Sequence, residues 1–187
     1  GVIHLAAKKS VGESVEQPHM YFEQNVQGTM ALLDAIKAAD VHHMVLSSSA
    51  AVYGSPDVDA VTEDTPTMPI NPYGQTKLAQ EWLVRDLSES GYDLSWVALR
   101  YFNVAGAGAE DLGDTGVFNL IPMVLRALDS GQAPQVFGDT YPTPDGTCIR
   151  DYIHVQDLAE AHVAAVTQAE RGGRTDIYNV GRGMGFS

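Results

Sequence analysis

Apolar positions along this chain change their spacing several times, and the changes predict helices and strands in alternation. Between residues 21 and 39, Phe22, Val26, Met30, Leu33 and Ile36 recur at steps of three and four, which is typical of one helix face. Short apolar runs bounded by turn residues predict buried strands. The predicted helices are 21–39, 73–89, 117–129 and 158–168, and the predicted strands are 2–6, 44–48, 94–102, 135–138 and 176–180. This alternation favours an α/β fold with a doubly wound parallel sheet.

The composition of the chain changes after Asn103, where a segment rich in Gly and Asp begins. We therefore expect a first domain over residues 1–103 and a second, smaller one over 104–187. Asp157 stands where it would cap the helix at 158–168. Residues 2–6 already resemble a buried strand, and the chain stops just after a Gly-spaced turn, so we expect that residues are missing at both ends.

Charge limits the kind of partner. The 187 residues carry a formal net charge of −13, which would repel nucleic acid and anionic membranes. The single Cys148 cannot form a disulfide within the chain, and the six histidines lack metal-ligand spacing. No apolar run approaches the ~20 residues of a membrane span. We therefore expect no nucleic acid, no membrane and no metal, and an anionic ligand would depend on the few Lys and Arg.

A phenol and an amine stand four residues apart in Tyr73-Gly74-Gln75-Thr76-Lys77. On a helix, both side chains would lie on one face. A fixed ammonium near a phenol, together with a cationic ring, would lower the pKa of the phenol and make it a general base. The alternative is an ordinary surface pair, because this spacing also arises by chance.

Serines end the predicted strand at 44–48, in the run from Ser47 to Gly54. Ligands bind at the carboxyl ends of strands in doubly wound sheets, so Ser49 could bind a substrate hydroxyl and relay its proton to Tyr73. The alternative is that these hydroxyls only cap the end of the strand.

The spacing of Ser49, Tyr73 and Lys77 resembles the catalytic triad of the extended short-chain dehydrogenases/reductases. Within them, residues 6–14, 100–103 and 141–155, including Asp145-Gly146-Thr147 and Arg150-Asp151-Tyr152-Ile153-His154-Val155, resemble the UDP-galactose (UDP-glucose) 4-epimerases. The resemblance implies a Rossmann-like fold and NAD-dependent epimerisation at C4 of a UDP-hexose through a 4-keto intermediate. It also implies galactose metabolism, a cytoplasmic location and a homodimer built by pairing helices that match 21–39 and 73–89.

The resemblance also assigns roles to single residues, and it places residues 1–103 in an NAD-binding domain and most of 104–187 in a UDP-sugar-binding region. Catalysis would fall to Ser49, Tyr73 and Lys77. The cofactor would be bound by Leu5, Ala6, Lys9, Asn25, Ser47, Tyr73, Lys77 and Phe102. The substrate would be bound by Ser49, Tyr73, Asn103, Asn119, Leu120, Gln135, Val136, Phe137 and Arg150. Without the resemblance, Phe102, Leu120, Val136 and Phe137 would be core residues, and Arg150 could equally pair with Asp151.

Two departures from the family pattern bear on function. The Gly-rich phosphate loop of dinucleotide folds is absent and would precede Gly1, so we expect the chain by itself to bind NAD poorly and to be inactive. Related dehydratases require an Asp-Glu pair where this chain has Ala50 and Ala51, which argues against elimination chemistry. Other nucleotide-sugar epimerases, decarboxylases and a catalytically silent binding protein remain as alternatives.

Overall fold

The chain divides into two compact units in a computed structural model that describes residues 1–114, 116, 119–171 and 175–187. The first unit comprises Gly1–Tyr101 together with Ala159–Val180. The second comprises Phe102–Leu158 together with Gly181–Ser187. The chain therefore enters the second unit directly after Tyr101 and later returns to the first.

Helices and strands alternate through most of the described residues. The helices are α1 (Val11–Glu16), α2 (Pro18–Tyr21), α3 (Gly28–Ala38), α4 (Pro72–Glu89), α5 (Leu120–Asp129) and α6 (Val155–Glu170). The strands are β1 (Val2–His4), β2 (His43–Ser49), β3 (Ser95–Tyr101), β4 (Asn103–Ala105), β5 (Arg150–His154), β6 (Asp176–Val180) and β7 (Gly185–Phe186). A π-helical turn covers Phe22–Gln27, and 3-10 turns cover Ala50–Tyr53 and Glu110–Leu112.

The first unit is built on a parallel sheet with the strand order β1-β2-β3-β6. On one face, α3 and α4 pack on β2 and β3 through a core that includes Leu33, Met44, Val84 and Trp96. On the other face, α6 packs through Ala165 and Ala169 on Val45, Val97 and Leu99. Helices on both faces of a parallel sheet confirm the predicted doubly wound α/β fold.

The second unit has a smaller mixed sheet with the strand order β4-β5-β7. β4 and β5 run parallel, with Asn103 opposite Tyr152. β5 and β7 run antiparallel, with Arg150 opposite Phe186. This sheet carries Asn103 and Arg150, and Asn119 and Leu120 lie at the start of α5, so four of the residues that the sequence assigns to the substrate belong to these elements.

Several predicted elements are confirmed, with shifts at their ends. The strand predicted at 176–180 is β6, the strands at 44–48 and 94–102 are β2 and β3, and the helix at 73–89 is α4. The strand predicted at 2–6 ends at His4, which leaves Leu5 and Ala6 beyond it. The helix predicted at 117–129 is described from Leu120 onward, because Val117 and Phe118 lie outside the described residues.

Two predictions of local structure are wrong. Residues 135–138 form no strand, and the side chains of Val136 and Phe137 are 70% and 76% exposed, so the apolar run there does not mark a buried strand. Asp157 does not cap α6, because the helix already begins at Val155 and Asp157 lies in its first turn. A carboxylate in the first turn still interacts favourably with the helix dipole.

The apolar face predicted for residues 21–39 is only partly right. Leu33 and Ile36 are buried, but Phe22 and Met30 are exposed. A π-helical turn places more residues in each turn than an α-helix does and so rotates the side chains that follow it. Tyr21, Asn25 and Thr29 face inward instead, and they bring polar groups into the interior.

Candidate active site

Tyr73 is positioned by the start of α4. Asn71 precedes the helix in extended conformation, and its side-chain Oδ1 accepts a hydrogen bond of 2.8 Å from the backbone N–H of Gly74. Pro72 occupies the first helical position, where its missing N–H costs nothing. The cap therefore fixes Tyr73 in the first turn, where its side chain is only 8% exposed.

Gly74 allows this end of α4 to approach the segment that follows Ser49. A Cβ atom at Gly74 would lie 2.6 Å from the carbonyl oxygen of Ala51, which belongs to the 3-10 turn Ala50–Tyr53. Any larger residue would push the helix away from the turn. The close approach brings the end of β2 next to Tyr73.

The hydroxyl of Ser49 lies close to the phenol of Tyr73 and lowers its pKa. This hydroxyl accepts a hydrogen bond of 3.2 Å from the backbone N–H of Ala51 and so caps the 3-10 turn. The capping that the sequence allowed for a strand-end serine is therefore present, and the relay of a proton to Tyr73 stays a prediction. Burial raises the pKa of Tyr73 to about 12, while Ser49 lowers it and the neighbouring phenols of Tyr101 and Tyr21 raise it.

Lys77 lies one helical turn after Tyr73 and is almost completely buried, at 3% exposure. Its Nζ donates a hydrogen bond of 3.0 Å to the backbone carbonyl oxygen of Ser47. Burial lowers the pKa of Lys77 to about 8, and the negative charge of Glu81 raises it in opposition. An ammonium has three N–H donors, and within the described residues only the Ser47 carbonyl accepts one, so two are left for a bound ligand.

Within the described residues burial outweighs the influence of Ser49, so the pKa of Tyr73 is raised, and its expected lowering by Lys77 together with a cationic ring stays a prediction. The amine of Lys77 is bound to the Ser47 carbonyl, and the dominant influence on the phenol is burial, which opposes ionisation. A phenolate at this position therefore requires a further positive charge.

Ser47 is fully buried and contributes through its backbone, because its carbonyl holds Lys77. Its side-chain hydroxyl forms a hydrogen bond of 2.9 Å with Nε2 of His162 and lies close enough to the phenol of Tyr101 to lower the pKa of that phenol. The assignment of Ser47 to the cofactor stays a prediction.

Asn25 is buried in the π-helical turn and holds the segment that follows β1. Its Oδ1 accepts a hydrogen bond of 2.7 Å from the backbone N–H of Lys8. Its Nδ2 donates hydrogen bonds of 3.0 Å to the Lys8 carbonyl and of 3.0 Å to the hydroxyl of Thr76. The exposed residues Leu5, Ala6 and Lys9 lie in this segment. The amide of Asn25 thus shapes the segment that carries three predicted cofactor residues.

The second unit carries the residues assigned to the nucleotide and one assigned to the cofactor, Phe102. Asn119 donates 2.6 Å to Oδ2 of Asp114 just before α5. A cavity of about 330 Å³ lies between α5 and the segment that follows it, and Leu120, Gln135 and Phe137 are among its lining residues. These three predicted residues therefore share one cavity, whereas Val136 does not line it.

Arg150 begins β5 with an exposed side chain, whose Nη1 donates 3.0 Å to the carbonyl of Ile149. Within the described residues, Arg150 forms no ion pair with Asp151, the alternative that the sequence allowed. The carboxylate of Asp151 accepts hydrogen bonds from the backbone N–H groups of Arg182 at 2.9 Å and Gly183 at 2.8 Å. The backbone carbonyl of Asp151 accepts a hydrogen bond of 3.0 Å from Nδ2 of Asn103. Apart from the bond to Ile149, the Arg150 guanidinium has no hydrogen-bond acceptor within the described residues, and its remaining donors could bind an anion.

Sequence reasoning assigned no role to three buried polar residues beside the site, Glu81, Arg100 and His162, or to the half-buried Tyr101. A signal was available for two of them. Glu81 follows Lys77 by four residues and so lies on the same helix face, and Arg100 interrupts the apolar run of β3. His162 and Tyr101 gave no comparable signal, because their meeting at Ser47 depends on the packing of α6 on the sheet.

The first unit, a parallel sheet between two layers of helices with hydroxyls and a buried amine at the carboxyl ends of its strands, defines a protein of the doubly wound, dinucleotide-binding class. A sequence model of the NAD dependent epimerase/dehydratase family matches residues 1–181, and the chain belongs to this family.

Relatives of known structure and function lie within the same family. The chain is 46% identical to the UDP-glucose 4-epimerase of Corynebacterium glutamicum and 48% identical to that of Halalkalibacterium halodurans, in each case over 100% of this chain and 57% of the relative. The solved UDP-glucose 4-epimerase of Brucella ovis in complex with NAD superposes with a TM-score of 0.94 at 46% identity, over 100% of this chain and 58% of that one. The chain thus spans little more than half the length of these relatives.

Two further features are absent from the described residues. Their helices include none with the length and apolar character to cross a membrane. The same residues contain no group of three or more His, Cys, Asp or Glu side chains arranged to hold a metal ion.

The buried charge of Lys77 should reduce the stability of the fold. Replacing Lys77 by Met should raise the free energy of unfolding near pH 7 by about 2–3 kcal/mol, because the folded chain holds a charge whose pKa burial has lowered from 10.5 to about 8. Below pH 8 both the folded and the unfolded parent hold the proton, and the full cost is present. Between pH 8 and 10.5 only the unfolded parent holds it, so the stability of the parent should rise there. Denaturant unfolding at several pH values measures both effects.

Lys37→Met is the control for this measurement, because Lys37 is exposed on α3. The control should leave the pH dependence of the parent unchanged. A Lys77→Met protein whose stability follows the parent's pH dependence would contradict the assignment of this rise to Lys77.

Proposed function

We propose that the full-length protein is an NAD-dependent epimerase that inverts C4 of a UDP-hexose, interconverting UDP-glucose and UDP-galactose through a 4-keto intermediate. The observation that carries this proposal is the arrangement of Ser49, Tyr73 and Lys77, in which the Ser49 hydroxyl lies close to the phenol and the buried amine lies one turn away. The function stated for the relatives supports the choice of reaction. The protein would belong to galactose metabolism, and its cytoplasmic location stays a prediction.

Residues of the first unit fit the nicotinamide half of NAD. The two N–H donors of Lys77 that have no acceptor within the described residues suit the hydroxyls of a ribose. The exposed residues at the end of β1 lie at the carboxyl edge of the sheet, where doubly wound folds bind nucleotides. When bound in its oxidised form, NAD would supply the positive charge that the phenol lacks and would accept and return the hydride of C4.

Tyr73 would act as the base and then as the acid of the reaction. Its phenolate would take the proton of the 4-hydroxyl group, directly or through Ser49, as the C4 hydrogen departs. After the keto sugar turns over, Tyr73 would return the same proton to the oxygen, so no exchange with water is needed. The charged Lys77 would bind the cofactor ribose and stabilise the phenolate electrostatically.

The second unit supplies the groups for the nucleotide. The cavity beside α5 offers apolar walls and the amide of Gln135, which suit a uracil ring, and the Arg150 guanidinium suits a diphosphate. Among the relatives, the UDP-glucose 4-epimerase of Bifidobacterium longum was solved with NAD+ and UDP, which supports the same ligands here. A firm hold on the nucleotide would leave the sugar free to turn over.

A catalytically silent binding protein is the less favoured reading. Holding the Lys77 ammonium in a buried site costs stability, and a protein that only binds a nucleotide has no use for a phenol kept beside it. A serine hydroxyl close to this phenol would likewise serve a proton transfer rather than binding.

The role of Tyr73 is tested by Tyr73→Phe in the full-length protein. The change should lower kcat for the conversion of UDP-galactose to UDP-glucose by about 10²–10⁴-fold, which is the usual contribution of a general acid–base group. Tyr92→Phe is the control, because the Tyr92 phenol only donates to backbone carbonyls of Ile36 and Val41. Activity of Tyr73→Phe within tenfold of the parent would refute the assignment.

The role of Arg150 is tested by Arg150→Lys. An ammonium keeps the charge but loses the paired donors that match a phosphate, so the Kd for UDP should rise by about 10–100-fold. Calorimetric titration with UDP gives this value, and the Kd for NAD should stay as in the parent. Arg85→Lys, at an exposed position of α4 beside Asp86, is the matched control and should bind UDP normally. An unchanged Kd for UDP in Arg150→Lys would show that Arg150 does not bind the diphosphate.

A homodimer of the full-length protein is proposed from the resemblance, and exposed apolar side chains on the relevant helices support it. Trp82 on α4, Phe22 in the π-helical turn and Met30 on α3 are each at least 40% exposed. Trp82→Glu should therefore raise the dimer dissociation constant at least about tenfold in analytical ultracentrifugation, because it would bury a charge at the contact. Met68→Glu, in an exposed loop, is the control. A parent that sediments as a monomer at micromolar concentration would rule the dimer out.

A further inference from the structure

A cluster of buried polar side chains lies beside the proposed active site and is not used by the proposed reaction. The carboxylate of Glu81 on α4 accepts hydrogen bonds from the Arg100 guanidinium on β3, at 2.6 Å from Nη2 and 2.9 Å from Nε. It also accepts a short hydrogen bond from the hydroxyl of Ser48 on β2. Glu81 and Arg100 are both almost fully excluded from solvent. We call Ser48, Glu81, Arg100 and Tyr53 the Glu81 cluster.

Tyr53 ties the cluster to other parts of the first unit. The third guanidinium nitrogen, Nη1 of Arg100, donates a hydrogen bond of 2.9 Å to the Tyr53 phenol, and the guanidinium carbon lies 4.9 Å from the centre of the Tyr53 ring. The Tyr53 phenol in turn donates a hydrogen bond of 2.7 Å to Oδ1 of Asn179 on β6. One carboxylate thus connects α4 with three strands of the sheet and with the 3-10 turn that follows Ser49.

Stability alone does not explain such a pair. Removing two opposite charges from water costs about as much as their attraction returns, and apolar side chains of similar volume often stabilise a fold equally well. The buried ion pair of Glu81 and Arg100 therefore suggests that these residues position other groups.

The position of the cluster suggests which groups these are. Ser48 stands between Ser47, whose carbonyl holds Lys77, and Ser49, whose hydroxyl lies close to the Tyr73 phenol. Glu81 follows Lys77 by one helical turn. The cluster therefore joins α4 to β2 at the same level where these two elements hold the phenol and the amine.

We propose that Glu81 is a positioning residue of the epimerase reaction: fixed by Arg100 and Ser48, its carboxylate holds α4 in register with β2 and so holds the Lys77 amine, one helical turn away, against the Ser47 carbonyl. This inference rests on the proposed function for its catalytic meaning. Its effect on the Lys77 amine can be measured without any turnover.

The groups around Lys77 make Glu81 the decisive charge. Helix α4 itself contributes the phenol of Tyr73, and β2 contributes the Ser47 carbonyl. From β1 comes His4, whose own pKa is lowered by burial and by the charge of Lys77. The phenol of Tyr21 on α2 and, on β3, the phenol of Tyr101 lie close enough to Tyr73 to raise its pKa.

Glu81 is thus the anion that opposes the effect of burial on Lys77. Burial lowers the pKa of the amine to about 8, and the carboxylate raises it against this effect. Arg100, which is bound to Glu81, would act in the opposite sense if its partner were neutral. Without the anion, the amine would lose its proton at lower pH.

The experiment follows the titration of Lys77 in the full-length protein by NMR of 13C-labelled lysine, first without NAD and then with NAD bound. The sequence has four lysines, and the resonance missing from Lys77→Met identifies the signal. In Glu81→Gln, which keeps an acceptor for Ser48, the midpoint should fall by about one pH unit, a tenfold change in the ratio of charged to neutral amine. In the same variant kcat should fall at neutral pH with KM little changed, and its acid–base profile should move with the midpoint.

Two control variants separate this effect from a general loss of stability or charge. Val84→Ala opens the core under the same helix, and Glu89→Gln removes an exposed carboxylate from its end. Both should leave the Lys77 midpoint and kcat close to those of the parent. A folded Glu81→Gln protein with an unchanged midpoint overturns the proposal.

Glu81→Gln leaves the Arg100 charge without its partner, and this loss can be large enough to prevent folding. In that case the double variant Glu81→Met, Arg100→Met tests the proposal, because it removes both charges and fills the space with apolar side chains. Its midpoint should lie below that of the parent and its kcat should be lower, and parental values of both overturn the proposal. Because the midpoint is read without substrate, failure of the epimerase assignment would not be mistaken for failure of this one.

Discussion

One buried ammonium organises the first unit of this protein. Lys77 donates to the carbonyl of Ser47, and this contact requires the helix α4 to lie across the carboxyl end of β2. Such a charge is costly in an interior, because burial favours the neutral amine. The neighbouring structure offsets that cost with the carboxylate of Glu81, and Arg100 and Ser48 then hold the carboxylate in place. Much of the polar interior is thus a consequence of where Lys77 lies.

The same principle explains why the core around α4 is not simply apolar. Thr76 and Gln80 extend the polar face of the helix toward Asn25 and Thr29, so that the π-helical turn is linked to α4 by hydrogen bonds. Hydrogen bonds depend on direction more than apolar contacts do, and a helix held by them is less free to slide on its sheet. This is a useful property for a helix that carries both Tyr73 and Lys77.

In the proposed reaction, each of the two units would have its own role. The first unit would hold the reacting groups and the nicotinamide, with polar side chains fixed by their neighbours. The second would hold the nucleotide through exposed groups, such as Arg150 and the residues lining the cavity beside α5. Since the chain spans little more than half the length of its relatives, the proposed activity is that of the full-length protein.

The sequence by itself determined the fold class and the main elements of the sheet. Apolar periodicity is a local property, so it located β2, β3, β6 and α4, and the spacing of Tyr73 and Lys77 required only a helix to put both on one face. It failed where an apolar run did not become buried, at Val136 and Phe137, and where the π-helical turn rotated the face that follows Phe22.

Only the tertiary structure decided how the polar groups pair. The contacts of Lys77 with Ser47, of Glu81 with Arg100 and of Ser47 with His162 join residues that are 19 to 115 positions apart. No local pattern records such a pairing, because it depends on which strands are neighbours and on which face each helix packs. The raised pKa of Tyr73 has the same origin, since burial is a property of the packed chain and not of any segment.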